Sequence, residues 1–129
     1  MKFTSLLAAV AIAASAVTYP AAALAHTKVV ASTPAEGATV ASARTVTLSF
    51  SEALLPPTAA ASLVMTAMPG MKDHGEMAIR NFTTAWSNGN KTMTLTLAKP
   101  LAKGTYEVRW QAAGADGHRM KGTLTFTIG

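Results

Sequence analysis

Four methionines and one histidine fall within thirteen residues of this 129-residue chain, at Met65, Met68, Met71, His74 and Met77. The whole chain has seven Met, three His and no Cys. Without thiolates, thioether sulfur and imidazole nitrogen are the ligands left for a soft or borderline metal. Positions 65, 68 and 71 have the spacing of one helical face, so a stripe packed into a core is the competing reading. Pro69 and Gly70 break a helix at that point, and Lys72, Asp73 and Glu76 make the stretch polar. It reads as a surface loop, where thioethers waste apolar area unless they bind something. Thioether sulfur is soft, neutral and unable to form disulfides, which suits Cu(I) in an oxidising compartment.

A second set of ligands is dispersed: His26, and Asp116-Gly117-His118 near the other end. His26 matters because of what precedes it. Lys2 is a positive start, residues 6–17 are apolar but for Ser15, and Tyr19-Pro20 interrupts the run. Twelve residues are too few for a bilayer core of roughly 30 Å. Ala23-Leu24-Ala25 is an A-x-A cleavage site, with Ala21-Ala22-Ala23 as a competitor. The reading is a secretory signal peptide at 1–25 and a mature domain at 26–129, exported and soluble. An N-terminal His offers one metal two nitrogens, its α-amine and its imidazole. Asp116 and His118 are two apart and share a side in extended chain. Together these form a nitrogen and oxygen set suited to tetragonal Cu(II). Taken singly, D-x-H is a common solvated turn and a terminal His is a frayed end.

The composition excludes other classes. Absence of Cys removes disulfide scaffolds, thiolate zinc sites and Cys nucleophiles. Hydrophobic residues at 50% and charged residues at 13% remove a disordered polyelectrolyte. The net charge of +5 comes from basic residues scattered singly from Lys2 to Lys121. That is a solubility pattern, with no run or aromatic interleaving for nucleic acid. No Ser-His-Asp nucleophile, phosphate loop or paired carboxylate set stands out.

The elements that must position these ligands are strands. Val46, Leu48 and Phe50 alternate with Thr45, Thr47 and Ser49. The same period of two recurs at Met93, Leu95 and Leu97, at Tyr106, Val108 and Trp110, and at Leu124, Phe126 and Ile128, with Thr prominent on the other face. This is the pattern of half-buried strands. A first strand fits 28–32, and weaker ones fit 61–66 and 79–86. Residues 87–90, Ser-Asn-Gly-Asn, form a turn. About seven strands point to an all-β, immunoglobulin-like sandwich. Tyr106, opening a strand after Gly104-Thr105, fits a tyrosine corner. Alternating strand direction puts His26, Glu52, Asp116 and His118 at one end and the methionine cluster at the other. Strands of about six residues at roughly 3.3 Å each separate those ends by about 20 Å.

These residues together resemble the CopC family of periplasmic copper-resistance proteins. The shared features are the N-terminal His26, Ser-Thr-Pro-Ala-Glu-Gly at 32–37, and Phe-Ser-Glu at 50–52. They continue with Val-Met-Thr-Ala-Met-Pro-Gly-Met at 64–71, Gly-Thr-Tyr at 104–106, Asp116 with His118, and Gly-Thr-Leu-Thr-Phe at 122–126. The resemblance covers the whole of 26–129. It implies a Greek-key β-sandwich with a Cu(II) site from His26, Asp116 and His118, and Glu52 as a ligand or neighbour. It also implies a Cu(I) site drawn from Met65, Met68, Met71, His74 and Met77. Met93 is assigned to the core and Met120 is left unassigned. The function implied is a non-catalytic, monomeric copper carrier or buffer in the periplasm that serves copper resistance and homeostasis. Its partners would be copper ions and a membrane copper importer or another periplasmic copper protein. The alternative is a copper-brace oxidative enzyme like the lytic polysaccharide monooxygenases, which also use an N-terminal His. A structural sandwich with incidental His and Met is the third reading.

Overall fold

A computed structural model of the chain describes residues 27–71 and 75–129. The expected signal peptide, His26 and His74 lie outside the described residues. The described residues form nine strands and no helix: β1 (Val29–Thr33), β2 (Thr39–Val40), β3 (Thr45–Phe50), β4 (Leu54–Ala67), β5 (Met77–Ile79), β6 (Phe82–Ser87), β7 (Thr92–Leu97), β8 (Gly104–Gly114) and β9 (Arg119–Ile128). They make two facing sheets, in the orders β1-β3-β7-β6 and β2-β9-β8-β4-β5. All pairs are antiparallel except β2 with β9. The expected β-sandwich is therefore present.

The alternation read from the sequence builds the core. Val46, Leu48, Leu95, Tyr106, Val108 and Phe126 are all fully buried, and Met93 is buried with them. Both sheets turn one residue in two inward, and each fully buried Leu or Val contributes about 1.5–3 kcal/mol of apolar transfer free energy. Phe50 meets Trp110 edge-on at 4.8 Å and Trp86 in a stack at 6.1 Å, which joins the sheets aromatic to aromatic. The tyrosine corner also forms. The buried Tyr106 hydroxyl donates to the Ala102 carbonyl at 2.6 Å, its ring stacks on Phe126, and burial raises the phenol pKa.

Two expectations about elements need correction, and one strand carries no signal in the sequence. The strand expected at 79–86 is two strands in different sheets, because Ile79 pairs with Leu63 while Phe82 pairs with Leu97. Between them Asn81 turns its carbonyl to the Ala98 N–H at 2.9 Å, and the chain changes sheets. The strand expected at 61–66 begins at Leu54. Pro56 and Pro57 cannot donate to a ladder, so the pairing skips from Leu55 to Ala60. Thr58 bridges the gap: its hydroxyl donates to the Leu55 carbonyl at 2.6 Å and accepts the Ala113 N–H at 2.8 Å. β2 is a two-residue rung too short for a periodic signal, held by Thr127 N–H on the Ala38 carbonyl at 2.8 Å.

The register fixes which loops share an end. On β4 and β8, Leu54 lies opposite Gly114 and Ala67 opposite Thr105. Val29 lies opposite Phe50 on β1 and β3. One end of the sandwich thus carries Thr27, Ser51, Glu52 and the turn from Gly114 to His118. The other carries Met68 to Met71. The eleven residues of β8 separate the ends by roughly 33 Å at about 3.3 Å per residue.

Replacing Tyr106 by Phe should lower stability by about 1–2 kcal/mol, the cost of one buried hydrogen bond and its stranded carbonyl. A denaturant titration reads this as a lower midpoint at unchanged slope.

Candidate metal centre

At the Gly114 end the hairpin of β8 and β9 closes through Gly114 N–H on the His118 carbonyl at 3.0 Å and Gly117 N–H on the Gly114 carbonyl at 2.9 Å. Gly117 takes φ +85°, a conformation that L side chains rarely adopt. Asp116 and His118 meet, though not along extended chain as expected. Asp116 Oδ1 accepts the His118 N–H at 3.0 Å, an Asx turn, and Oδ2 lies 2.8 Å from His118 Nδ1. Both side chains are exposed, at 53% and 83%. Nδ1 faces the carboxylate, so Nε2 is the ring nitrogen turned away from Asp116. A carboxylate behind an imidazole fixes its tautomer and direction for a metal.

The neighbouring residues bring the first described residues, Thr27 and Lys28, to this end. Lys28 N–H donates to Ser51 Oγ at 3.0 Å, and Ser51 N–H donates to the Lys28 carbonyl at 2.8 Å. Thr27 N–H donates to Met120 Sδ at 3.2 Å. Thr27 itself is buried, and its hydroxyl oxygen has no partner among the described residues. Gly114 is the common neighbour: a Cβ there would stand 3.3 Å from both Asp116 Oδ1 and Met120 Cε. Glu52 is exposed at this end but is not gathered onto the pair. Among the described residues no three His, Asp or Glu side chains close on one point. His26, the further ligand expected from the sequence, adjoins Thr27 in the chain and lies outside the described residues. Sequence reasoning left Met120 unassigned. The signal was present: the inward even positions 124, 126 and 128 extrapolate back through 122 to 120.

The methionines at the other end fall into two pairs. Met68-Pro69-Gly70-Met71 is a tight turn with Gly70 at φ +77° and Met71 N–H on the Met68 carbonyl at 3.2 Å. Pro then Gly at the central positions is the type II signature, and it brings residues 68 and 71 within about 7 Å. Met65 and Met77 lie opposite each other on β4 and β5. Their surroundings differ. Met71 and Met77 are exposed, at 53% and 47%, and Met68 is partly buried against the core. Met65 is 3% exposed, and a Cβ on Gly104 would stand 3.1 Å from its Cε. The structure places Met65 as a core side chain beneath the segment. Another feature missed from sequence fixes the far limb: Arg109 on β8 grips both Glu76 oxygens, at 3.0 and 2.7 Å, and Glu107 at 3.2 Å. The Arg109 guanidinium lowers the Glu76 pKa, and the two carboxylates raise that of Arg109.

The Asp116–His118 pair makes a pH prediction. The hydrogen bond from His118 lowers the Asp116 pKa, and the carboxylate raises that of His118. His118's contribution to stability is full below the ordinary His value and is lost as pH rises through its raised pKa. Asp116's is full above the ordinary carboxylate value and is lost as pH falls through its lowered pKa. The pair therefore favours the fold most between those limits, weakly because both groups are exposed. In metal-free protein, NMR titration should find His118 above the usual His value of about 6.5. Asp116→Asn should bring it down toward that value. Separately, Arg109→Ala should speed amide exchange at Met77 to Ile79 while leaving β3 and β7 protected.

Comparison with known proteins bears on both ends. The CopC domain family model matches residues 29–129. Copper resistance protein C of Pseudomonas syringae pv. tomato is 47% identical over 106 residues, 81% of each chain. Its counterpart in Xanthomonas campestris pv. juglandis is 40% identical over 108 residues, 84% of each chain. The crystal structure of PcoC, a methionine-rich copper resistance protein from Escherichia coli, superposes with a TM-score of 0.71 at 35% identity, covering 80% of this chain and 98% of that one. With the family model spanning both strand-end clusters and the sandwich between them, the chain belongs to the CopC family.

Proposed function

We propose that this protein is a periplasmic copper carrier, non-catalytic, that holds Cu(II) at the His118 end and Cu(I) at the methionine end. The observation that carries the reading is the segregation of donors by softness. Imidazole and carboxylate meet 2.8 Å apart at one end, and three accessible or half-buried thioethers stand at the other. Hard and borderline donors suit Cu(II), and thioethers suit Cu(I). The relatives named for copper resistance support the metal.

In this reading the signal peptide 1–25 is removed, and the amine and imidazole of His26 complete the Cu(II) set with Asp116 and His118. Glu52 stands at the same end as a neighbouring carboxylate. Met68, Met71 and Met77 supply the Cu(I) donors with His74, and Met65 forms the floor. Both copper forms are cargo, passed to a membrane importer or another periplasmic copper protein.

Titration of the mature chain with each ion tests this. His118→Ala should weaken Cu(II) binding by about tenfold or more and leave Cu(I) binding nearly unchanged. Met68→Leu with Met71→Leu should do the reverse, since Leu keeps apolar volume and removes only sulfur. One extra residue before His26 should abolish most Cu(II) affinity without unfolding the protein. Equal losses of both ions in either variant would refute the two-site carrier.

A further inference from the structure

The methionine left over by that scheme is Met120, which stands at the opposite end from the other accessible thioethers. We propose that Met120 is a copper ligand at the His118 end, a soft donor that lets this end hold the ion as Cu(I) as well as Cu(II). The inference deepens the copper-carrier reading and rests on it.

Three observations locate the sulfur. Its Sδ lies 3.2 Å from the peptide N–H of Thr27, and that nitrogen is separated from the α-amine of residue 26 by only the carbonyl carbon and Cα. Its Cε and the Asp116 Oδ1 both flank Gly114, each 3.3 Å from where a Cβ would be. Gly114 N–H in turn holds the His118 carbonyl. The thioether therefore lies beside Thr27 on one side, and its methyl shares the Gly114 surroundings with the Asp116 carboxylate on the other. A Cβ at position 114 would crowd the carboxylate and the thioether together.

The sulfur is also oriented and available. A thioether carries two lone pairs, and the Thr27 N–H engages one of them. Met120 is partly buried against the core, so its side chain is held without being fully enclosed. Nitrogen and oxygen donors prefer Cu(II), and adding one neutral sulfur shifts the balance toward Cu(I). When an external one-electron reductant converts bound Cu(II) to Cu(I), the metal keeps one donor it favours. It then leaves toward a site richer in thioethers by transfer rather than by loss to solvent.

The test uses the mature chain carrying Met68→Leu, Met71→Leu and Met77→Leu, so the far end has no accessible thioether. It is loaded with one equivalent of Cu(II), reduced with ascorbate, and followed by copper X-ray absorption. The proposal expects a single Cu–S shell after reduction, lost on adding Met120→Leu. It further expects Cu(I) affinity to fall about tenfold with Met120→Leu while Cu(II) affinity changes less than about threefold. Met120→Ile repeats the test with a second apolar side chain, and circular dichroism confirms the fold of each. Three results would overturn it: no Cu–S shell, a shell that survives Met120→Leu, or equal loss of both ions, which would make Met120 a positioning residue for Thr27. Failure of the parent to take Cu(II) in a nitrogen and oxygen shell would instead overturn the carrier reading and this inference with it.

Discussion

Leu54 opposite Gly114 and Ala67 opposite Thr105 are the two limits of one antiparallel ladder, and the placement of Asp116 and His118 at one end and of Met68 and Met71 at the other depends on it. β4 and β8 are the long strands of the larger sheet, and β9 continues the pairing from Arg119 to Ile128. Because the core face is buried, slipping this ladder by one residue would turn Tyr106, Val108 and Trp110 outward. Register is thus held by the hydrophobic effect, and donor placement follows from it. The turn carrying Asp116 and His118 cannot migrate along the sandwich, nor can the turn carrying Met68 and Met71.

The same constraint explains why donors of different softness stay apart. Roughly 33 Å of sheet between the ends keeps the Asp116–His118 pair apart from the exposed thioethers of Met71 and Met77. Met120 modifies this division on one side only. It is a single sulfur among harder donors, well short of the set at Met68, Met71 and Met77. Burial then decides which thioethers are usable: Met65 and Met93 are enclosed in the core, while Met71 and Met77 stand in solvent.

The period of two made most of the fold legible before any coordinates. Positions 46, 48 and 50, 93, 95 and 97, and the even positions from 106 to 110 and 124 to 128 are the core. Strand direction counted from them put the two ligand groups at opposite ends. Three things escaped. The pattern marks only 61–66 of β4, because the Thr58 hydroxyl that carries the ladder past Pro56-Pro57 makes a tertiary contact with Ala113. The sheet change at residues 80 and 81 depends on which partner each half finds, Leu63 or Leu97, and no local pattern states that. The Asp116 to His118 contact was expected from extended spacing, whereas an Asx turn makes it. Met120 is legible only as an inward parity; that it lies beside Thr27 is a contact between residues 93 apart in the chain, which no local pattern states.

The grip of Arg109 on Glu76 has a consequence for how such a chain can vary over generations. The methionine segment leaves β4 at a tight Pro-Gly turn and is seized again at Glu76, just before β5. Insertions or deletions between those fixtures change a stretch of sequence whose two flanks are already held. Doubling a loop's length costs only about 0.6 kcal/mol in closure entropy. Residues can therefore be added or replaced between Met71 and Glu76 while the sheet keeps its pairing. The composition of that connection is free to drift on a scaffold that does not have to be rebuilt each time.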